Sequence, residues 1–252
     1  PISRVLVGGT RLQDPWQVPR DPWGPQLLVG PFLRPLEPQA EAEAPEGALR
    51  NLLNFLTSNS PSSSSSPLGL GWSVGSPWQE WARAELRLQQ LLLLWGLPGT
   101  PVLSYGDEVG LQRPPENQEL PAMPWESIEG PSKGGNGSQP PDVLELCKTL
   151  ASLRAQERSL LLGEAVAVPA GAAIAVLRRW DQSQRFLLLL NPHGAPVKPF
   201  AVKRDPPEPV LPPKATLRLS TDPSQPKERE VALDEVTLAA FEGLLLSFPY
   251  TP

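Results

Sequence analysis

The sequence holds one cysteine, one histidine and one methionine in 252 residues. With Cys147 alone, the chain can close no internal disulfide. A metal site built from several Cys or His ligands is excluded on the same ground. A Ser-His or Cys-His catalytic pair would have to use His193, which sits in the turn-like Asn191-Pro192-His193-Gly194 and reads as an exposed loop residue. No apolar run reaches the roughly 18 residues of a membrane-spanning helix. The most apolar stretch, LLLLWGL at 91–97, is too short. The first residues show no basic segment followed by an apolar core, so no signal peptide is expected there. The 22 Lys and Arg are scattered, which leaves no phosphate-binding footprint and no nucleic acid partner to expect. The net charge of −5 favours solubility and little else.

What the chain has in excess is proline, 34 residues against a usual share of about 5%. The prolines cluster at 15–38, 61–77, 114–141 and 192–226. Proline fixes φ and removes a hydrogen-bond donor, so these clusters predict loops, edges and turns. Apolar residues make up 40%, enough for a sizeable core.

Between the prolines the pattern divides in two. RVLVGG (4–9), QLLVGPFL (26–33), GLGWSVG (69–75) and TPVLSYG (100–106) read as four strands. Helical spacing of Leu49, Leu52, Leu53 and Leu56 separates the second from the third. A longer helix runs from Ser76-Pro77, a natural N-cap and first residue, through Trp95. Its stripe is Trp81, Ala84, Leu88, Leu91, Leu92 and Trp95, with Gly96 as the expected left-handed C-cap. Asp142 caps a further helix through Arg158, with Val143, Leu146, Cys147, Leu150 and Leu153 on one face. Cys147 inside that stripe reads as a small core residue.

After Arg158 the segments GEAVAVPA, AAIAVLRRW, RFLLLLN, ATLRLS, EVAL and GLLLSF are short strands separated by Gly, Pro, Asp and Asn, the signature of an antiparallel sheet. The first part alternates strand and helix, which implies a parallel sheet. Four strand–helix units leave two arrangements open: an open α/β sheet, or half of an eight-stranded barrel.

Specific wording narrows this. LPGTPVLSYGDEVGL (97–111) followed by PAMPW (121–125) resembles the eighth-strand region of the α-amylase glycoside hydrolase family. The motif residues are Tyr105, Gly106, Asp107, Glu108 and Trp125. LRAQERSLLLGEA (153–165) resembles the family's last barrel helix, and RRWDQSQRFLLLLNP (178–192) the start of its C-terminal β-domain. Within that family, VLSYGDEVGL, RSLLLGEA and the ending EGLLLSFPYTP are similar to the heavy-chain subunits of heteromeric amino-acid transporters.

The resemblance implies an α/β fold: the C-terminal half of a (β/α)8 barrel, strands five to eight, over 1–160, then an antiparallel all-β sandwich domain over 161–252. It implies a cytoplasmic tail and one membrane helix before residue 1, with the barrel outside the cell. It implies a multi-span transporter light chain as partner, linked through a cysteine outside this chain, with integrin β as a further partner and no cofactor. It also permits an α-glucan hydrolase or a sugar-binding protein.

The family's chemistry needs a carboxylic acid after strand five and an Asn-His-Asp run after strand seven. The first place corresponds to Gly9-Thr10, neither of which can donate a proton usefully. The second corresponds to GLGWSVGSPW, without His or Asp. The nucleophile would lie upstream of residue 1. Asp107 and Glu108, taken as the end of an extended strand, point to opposite sides and are expected to brace the barrel rim. Asn136-Gly137-Ser138 is an N-glycosylation acceptor in a polar loop. Trp16, Trp23, Trp72, Trp78, Trp125 and Trp180 are expected to pack under proline-rich loops.

Overall fold

The computed structural model describes residues 7–9, 27–30, 69–73, 86–111, 122–125, 143–199 and 211–251. Two sheets organise these residues. The first is parallel and contains β1 (Val7–Gly9), β2 (Leu27–Gly30), β3 (Gly69–Ser73) and β4 (Thr100–Val102) in sequence order. Each strand pairs with the next in sequence, as expected of successive strand–helix units.

The second sheet is antiparallel. Its strands are β5 (Glu164–Ala167), β6 (Ile174–Arg179), β7 (Arg185–Leu190), β8 (Lys214–Ser220), β9 (Glu230–Ala232) and β10 (Gly243–Phe248), ordered β5-β6-β7-β10-β8-β9. All six segments expected after Arg158 form strands. After Arg185, β7 is apolar from Phe186 to Leu190 because both faces of the sheet are covered there. Phe186, Leu188 and Leu190 point into one core cluster, and Leu187 and Leu189 into the other. Ile174/Val176 and Ala175/Leu177 on β6 divide in the same way. This is the two-residue period of a strand.

Among the described residues the strands from Glu164 onward form this one six-stranded sheet. Its far side is closed by its own connections, through Val168, Leu211, Leu233, Val236 and Leu238. One isolated bridge, Val197 to Leu238, ties two of those connections together.

Three helices are described: α1 (Arg87–Gly96), α2 (Val143–Gln156) and α3 (Arg158–Leu161). α1 is buried on almost every side, from Gln89 to Leu94 and again at Gly96. It lies in one core cluster with Trp72 of the parallel sheet and Leu188 and Leu190 of the antiparallel sheet. A single apolar stripe was too narrow an expectation for a helix held between two sheets. Gly96 is not the left-handed cap expected. It ends the helix itself, and Leu97 caps it in an extended conformation. Glycine is needed there for space: a Cβ would come within 2.1 Å of Leu188 Cδ2.

α2 buries Leu146, Cys147 and Leu150, as its spacing predicts, with Val143 and Leu153 partly buried beside them. The helix ends before Arg158, because Glu157 turns extended (φ −101°, ψ 111°) and α3 starts afresh. The helix around Leu49–Leu56, the Ser76-Pro77 cap, Trp81, Ala84 and the Asp142 cap lie outside the described residues. Among the described residues no helix is long and apolar enough to cross a membrane.

Candidate functional site

The barrel-rim motif lies just beyond β4. The strand was expected to run through Gly106, but it ends at Val102. Tyr105-Gly106 make a turn, and Asp107–Val109 wind into one turn of 3-10 helix. Two left-handed glycines bracket it, Gly106 at φ 84° and Gly110 at φ 69°. Only glycine takes such angles without strain, and space excludes a side chain too: a Cβ on Gly106 would meet the Leu111 side chain at 2.5 Å.

This turn decides what the two carboxylates do. Asp107 is 1% exposed. Its Oδ2 accepts the backbone N–H of Ser104 at 2.7 Å, and its own N–H donates to the Ser104 carbonyl at 3.0 Å. Arg87, from the first turn of α1, reaches over the same turn. Its Nη1 donates to the Gly110 carbonyl at 2.5 Å. Burial lowers the Arg87 pKa, and the Asp107 charge opposes that shift. Asp107 is therefore enclosed and held by its own turn and by Arg87. Asp107 and Glu108 sit in a 3-10 turn and not at the end of an extended strand as expected. Glu108 is half-buried and Tyr105 exposed.

Cys147 of α2 lies close enough to feel both carboxylates. Burial pushes its thiol pKa up to about 12, and the charges of Glu108 and Asp107 add to the rise. A thiolate there is disfavoured three times over, so Cys147 is a core residue and not a nucleophile. His193 has no nucleophile beside it among the described residues: its Nε2 lies 3.1 Å from the Ala172 carbonyl, and its N–H donates to Asn191 Oδ1 at 3.0 Å.

The other candidates divide. Gly9 is the last residue of β1, and Thr10 lies outside the described residues. Within the stretch matching the Asn-His-Asp run, Trp72 is 0% exposed and donates from Nε1 to the Pro98 carbonyl at 2.5 Å. Residues 74–78 are outside the described set, as are Asn136, Trp16 and Trp23. Trp125 corrects an expectation. It is 60% exposed, not packed beneath a loop, and Trp180 is also exposed. No segment among the described residues closes over either ring.

Two buried arginines were not anticipated. Arg154 of α2 donates from Nη1 to the carbonyls of Trp95 (2.6 Å) and Leu97 (2.7 Å), and from Nη2 to Gly99 (2.5 Å). Arg178 of β6 donates from Nη1 to Gly96 (2.7 Å), and from Nη2 to Leu160 (2.9 Å) and Gly163 (2.6 Å). The helical spacing carried a signal for Arg154: it falls seven residues after Cys147 and four after Leu150, on the apolar face.

No family model matches the chain. By sequence it is 39% identical over 178 residues to the amino acid transporter heavy chain SLC3A2 of Oryctolagus cuniculus, a match covering 66% of this chain and 34% of that protein. The corresponding heavy chain of Mus musculus is 35% identical over 215 residues, covering 71% of this chain and 39% of that protein. The chain thus spans between a third and two-fifths of the length of the curated relatives it matches. Among solved structures it is similar to an α-amylase from Anoxybacillus (TM-score 0.60, 17% identity, 98% of this chain and 53% of that one). It is also similar to isomaltulose synthase from Klebsiella sp. LX3 (TM-score 0.56, 12% identity, 88% and 50%). At those identities the likeness is one of fold: the four parallel strands and the antiparallel sheet are the C-terminal half of an amylase-like architecture. By sequence the chain is a homologue of the amino acid transporter heavy chains, and by fold it is α-amylase-like.

Proposed function

We propose that this chain is the C-terminal part of the extracellular region of a non-catalytic transporter heavy chain. Residues 1–160 would supply strands five to eight of the barrel and residues 161–252 the C-terminal β-domain, with the other four strands and a single membrane helix upstream. The complete protein associates with a multi-span amino-acid transporter light chain, stabilises it and carries it to the plasma membrane. A covalent link to that partner would use a cysteine outside this chain, since Cys147 is buried. Asn136 is a proposed glycosylation site on the same extracellular face of the membrane.

The observation that carries this reading is the sequence identity of 35–39% to proteins named as amino acid transporter heavy chains. The rim motif supports it, because Asp107 is enclosed by its turn and by Arg87. The test is recovery of the complete protein from membranes, with identification of what comes with it. A multi-span amino-acid transporter in comparable amount is expected. Recovery of none, from cells that express such a transporter, contradicts the proposal.

A second reading is an α-glucan hydrolase, or a sugar-binding protein, of the α-amylase family. What favours it is the fold likeness to sugar-processing enzymes. In the sequence, Gly9-Thr10 at the acid position and the absence of His and Asp from GLGWSVGSPW weigh against it.

A further inference from the structure

We propose that Arg154 and Arg178 form a two-arginine joint that locks the parallel and antiparallel sheets into one cooperative unit, so that neither opens without the other. Relative motion is the default expectation for two units of one chain. The joint removes it at a defined place, the C-terminal end of α1.

A helix ends with carbonyls that have no partner within the helix. At the end of α1 these carbonyls are enclosed, and two guanidinium groups supply the donors. Arg154 binds the carbonyls of Trp95, Leu97 and Gly99. Arg178 binds the carbonyl of Gly96, between the first two of those. Each arginine comes from a different element. Arg154 belongs to α2, which follows the parallel sheet, and Arg178 to β6, the second strand of the antiparallel sheet. The second nitrogen of Arg178 also holds Leu160 and Gly163, where α3 passes into β5. Six carbonyls and two cations are thus joined across three helices and β6.

Both arginines are buried, and among the described residues neither has a carboxylate partner. The negative end of the α1 dipole and the carbonyl oxygens stand in for the anion. Burial lowers the pKa of both, and Arg154 lowers that of Arg178 further, to about 9. Two like charges in so enclosed a place are tolerable only while all the carbonyls remain in reach. Drawing the sheet away from α1 would break the Arg178–Gly96 bond, leaving a buried carbonyl without its donor and a buried cation short of one partner, while Arg154 keeps the neighbouring carbonyls fixed in place. A pair of ordinary apolar surfaces would separate more gradually. The start of α1 is fixed as well: Gln89 Nε2 donates to the Asn191 carbonyl at 2.6 Å, just beyond β7. At the C-terminal end, Leu188 of β7 fills the space left by Gly96.

The test is native-state amide exchange at low denaturant, read separately at Leu91–Leu94 of α1 and Leu187–Leu189 of β7. In the unmodified protein both groups are expected to exchange through one shared opening, with the same dependence on denaturant. In Arg178→Lys, which keeps the charge and loses the forked geometry, α1 amides are expected to accelerate about tenfold more than β7 amides. Arg154→Lys should do the same. Arg218→Gln, whose ion-pair partner Glu228 is exposed, serves as control and should separate nothing. Separate openings in the unmodified protein would overturn the joint. So would equal acceleration of both groups in the two lysine variants, because apolar contact alone would then hold the units together. If neither variant folds, the unmodified protein still decides whether the two sheets open as one.

Discussion

The two sheets were built under opposite constraints. The parallel sheet has strands of three to five residues, joined by long proline-rich connections. In the antiparallel sheet β6, β7, β8 and β10 have six or seven residues, and short turns join β5 to β6 and β6 to β7. Among the described residues the antiparallel sheet is covered on both faces by side chains of its own strands and connections, with α1, α2, Leu160 of α3 and Trp72 completing one of the two clusters. The parallel sheet follows the sequence order of a barrel, and among the described residues Trp72 carries it into the core cluster that holds α1. The parallel half carries the Tyr105–Glu108 motif at the rim beyond β4. That rim holds a buried Asp107 whose Oδ2 accepts from the Ser104 backbone. The contrast teaches that a motif can survive because a turn needs it: Gly106, Asp107 and Gly110 are each explained by backbone angle, space or hydrogen bonding.

Removing the contact that anchors the parallel sheet should have the largest effect. Trp72→Ala empties a fully buried site and strands the Pro98 carbonyl. The expected loss is about 3–5 kcal/mol, the range for a large aromatic in a core. At roughly 2–4 °C per kcal/mol for a chain of this size, the midpoint of thermal unfolding should fall by about 6–20 °C. A fall of only a degree or two would mean that the parallel sheet contributes little to the cooperative unit.

Glycines from the two halves sharpen the comparison. Gly106→Ala faces both a left-handed angle and Leu111 at 2.5 Å, for an expected loss of about 2–4 kcal/mol. Gly171→Ala, in the β5–β6 turn, has φ 60° and open space around it, so only the angle counts and about 1 kcal/mol is expected. Denaturant midpoints compare them directly. Equal losses would show that the rim turn is no more constrained than an exposed hairpin.

Cys147 gives a smaller effect that depends on pH. Its folded pKa is raised from 9.0 to about 12. The folded state holds the proton more tightly, so the associated stability is complete below pH 9 and is lost as pH rises towards 12. Cys147→Ala should flatten the decline in stability across that window. At pH 8 the thiol should react with a soluble alkylating reagent only as fast as the protein opens. Rapid labelling of the folded protein would contradict its place in the core.

The antiparallel half was legible in the sequence because its signals are local. Alternation within RFLLLL cannot be seen in its letters, but the turns on either side bound it, and all six strands form where expected. The parallel strands were legible as short apolar runs ending in glycine, and their order followed from alternation with helices. The rim motif was misjudged in geometry: TPVLSYG reads as one extended run, and only the left-handed angles of Gly106 and Gly110 reveal that the chain has already turned. Arg154 and Arg178 were missed for a different reason. An arginine in a sequence is read as surface, and the carbonyls that enclose both come from segments tens of residues away. Gly96 was assigned to a cap because glycine after a helix usually serves there, whereas here the neighbouring sheet claims its empty side.

The most direct measurement is reducing-end release from maltooligosaccharide by the complete protein purified from membranes. No release above that of a heat-inactivated control is expected, with Asp107→Asn and Glu108→Gln indistinguishable from the parent. Release that disappears in Glu108→Gln while the fold is retained would contradict the proposal of a non-catalytic heavy chain.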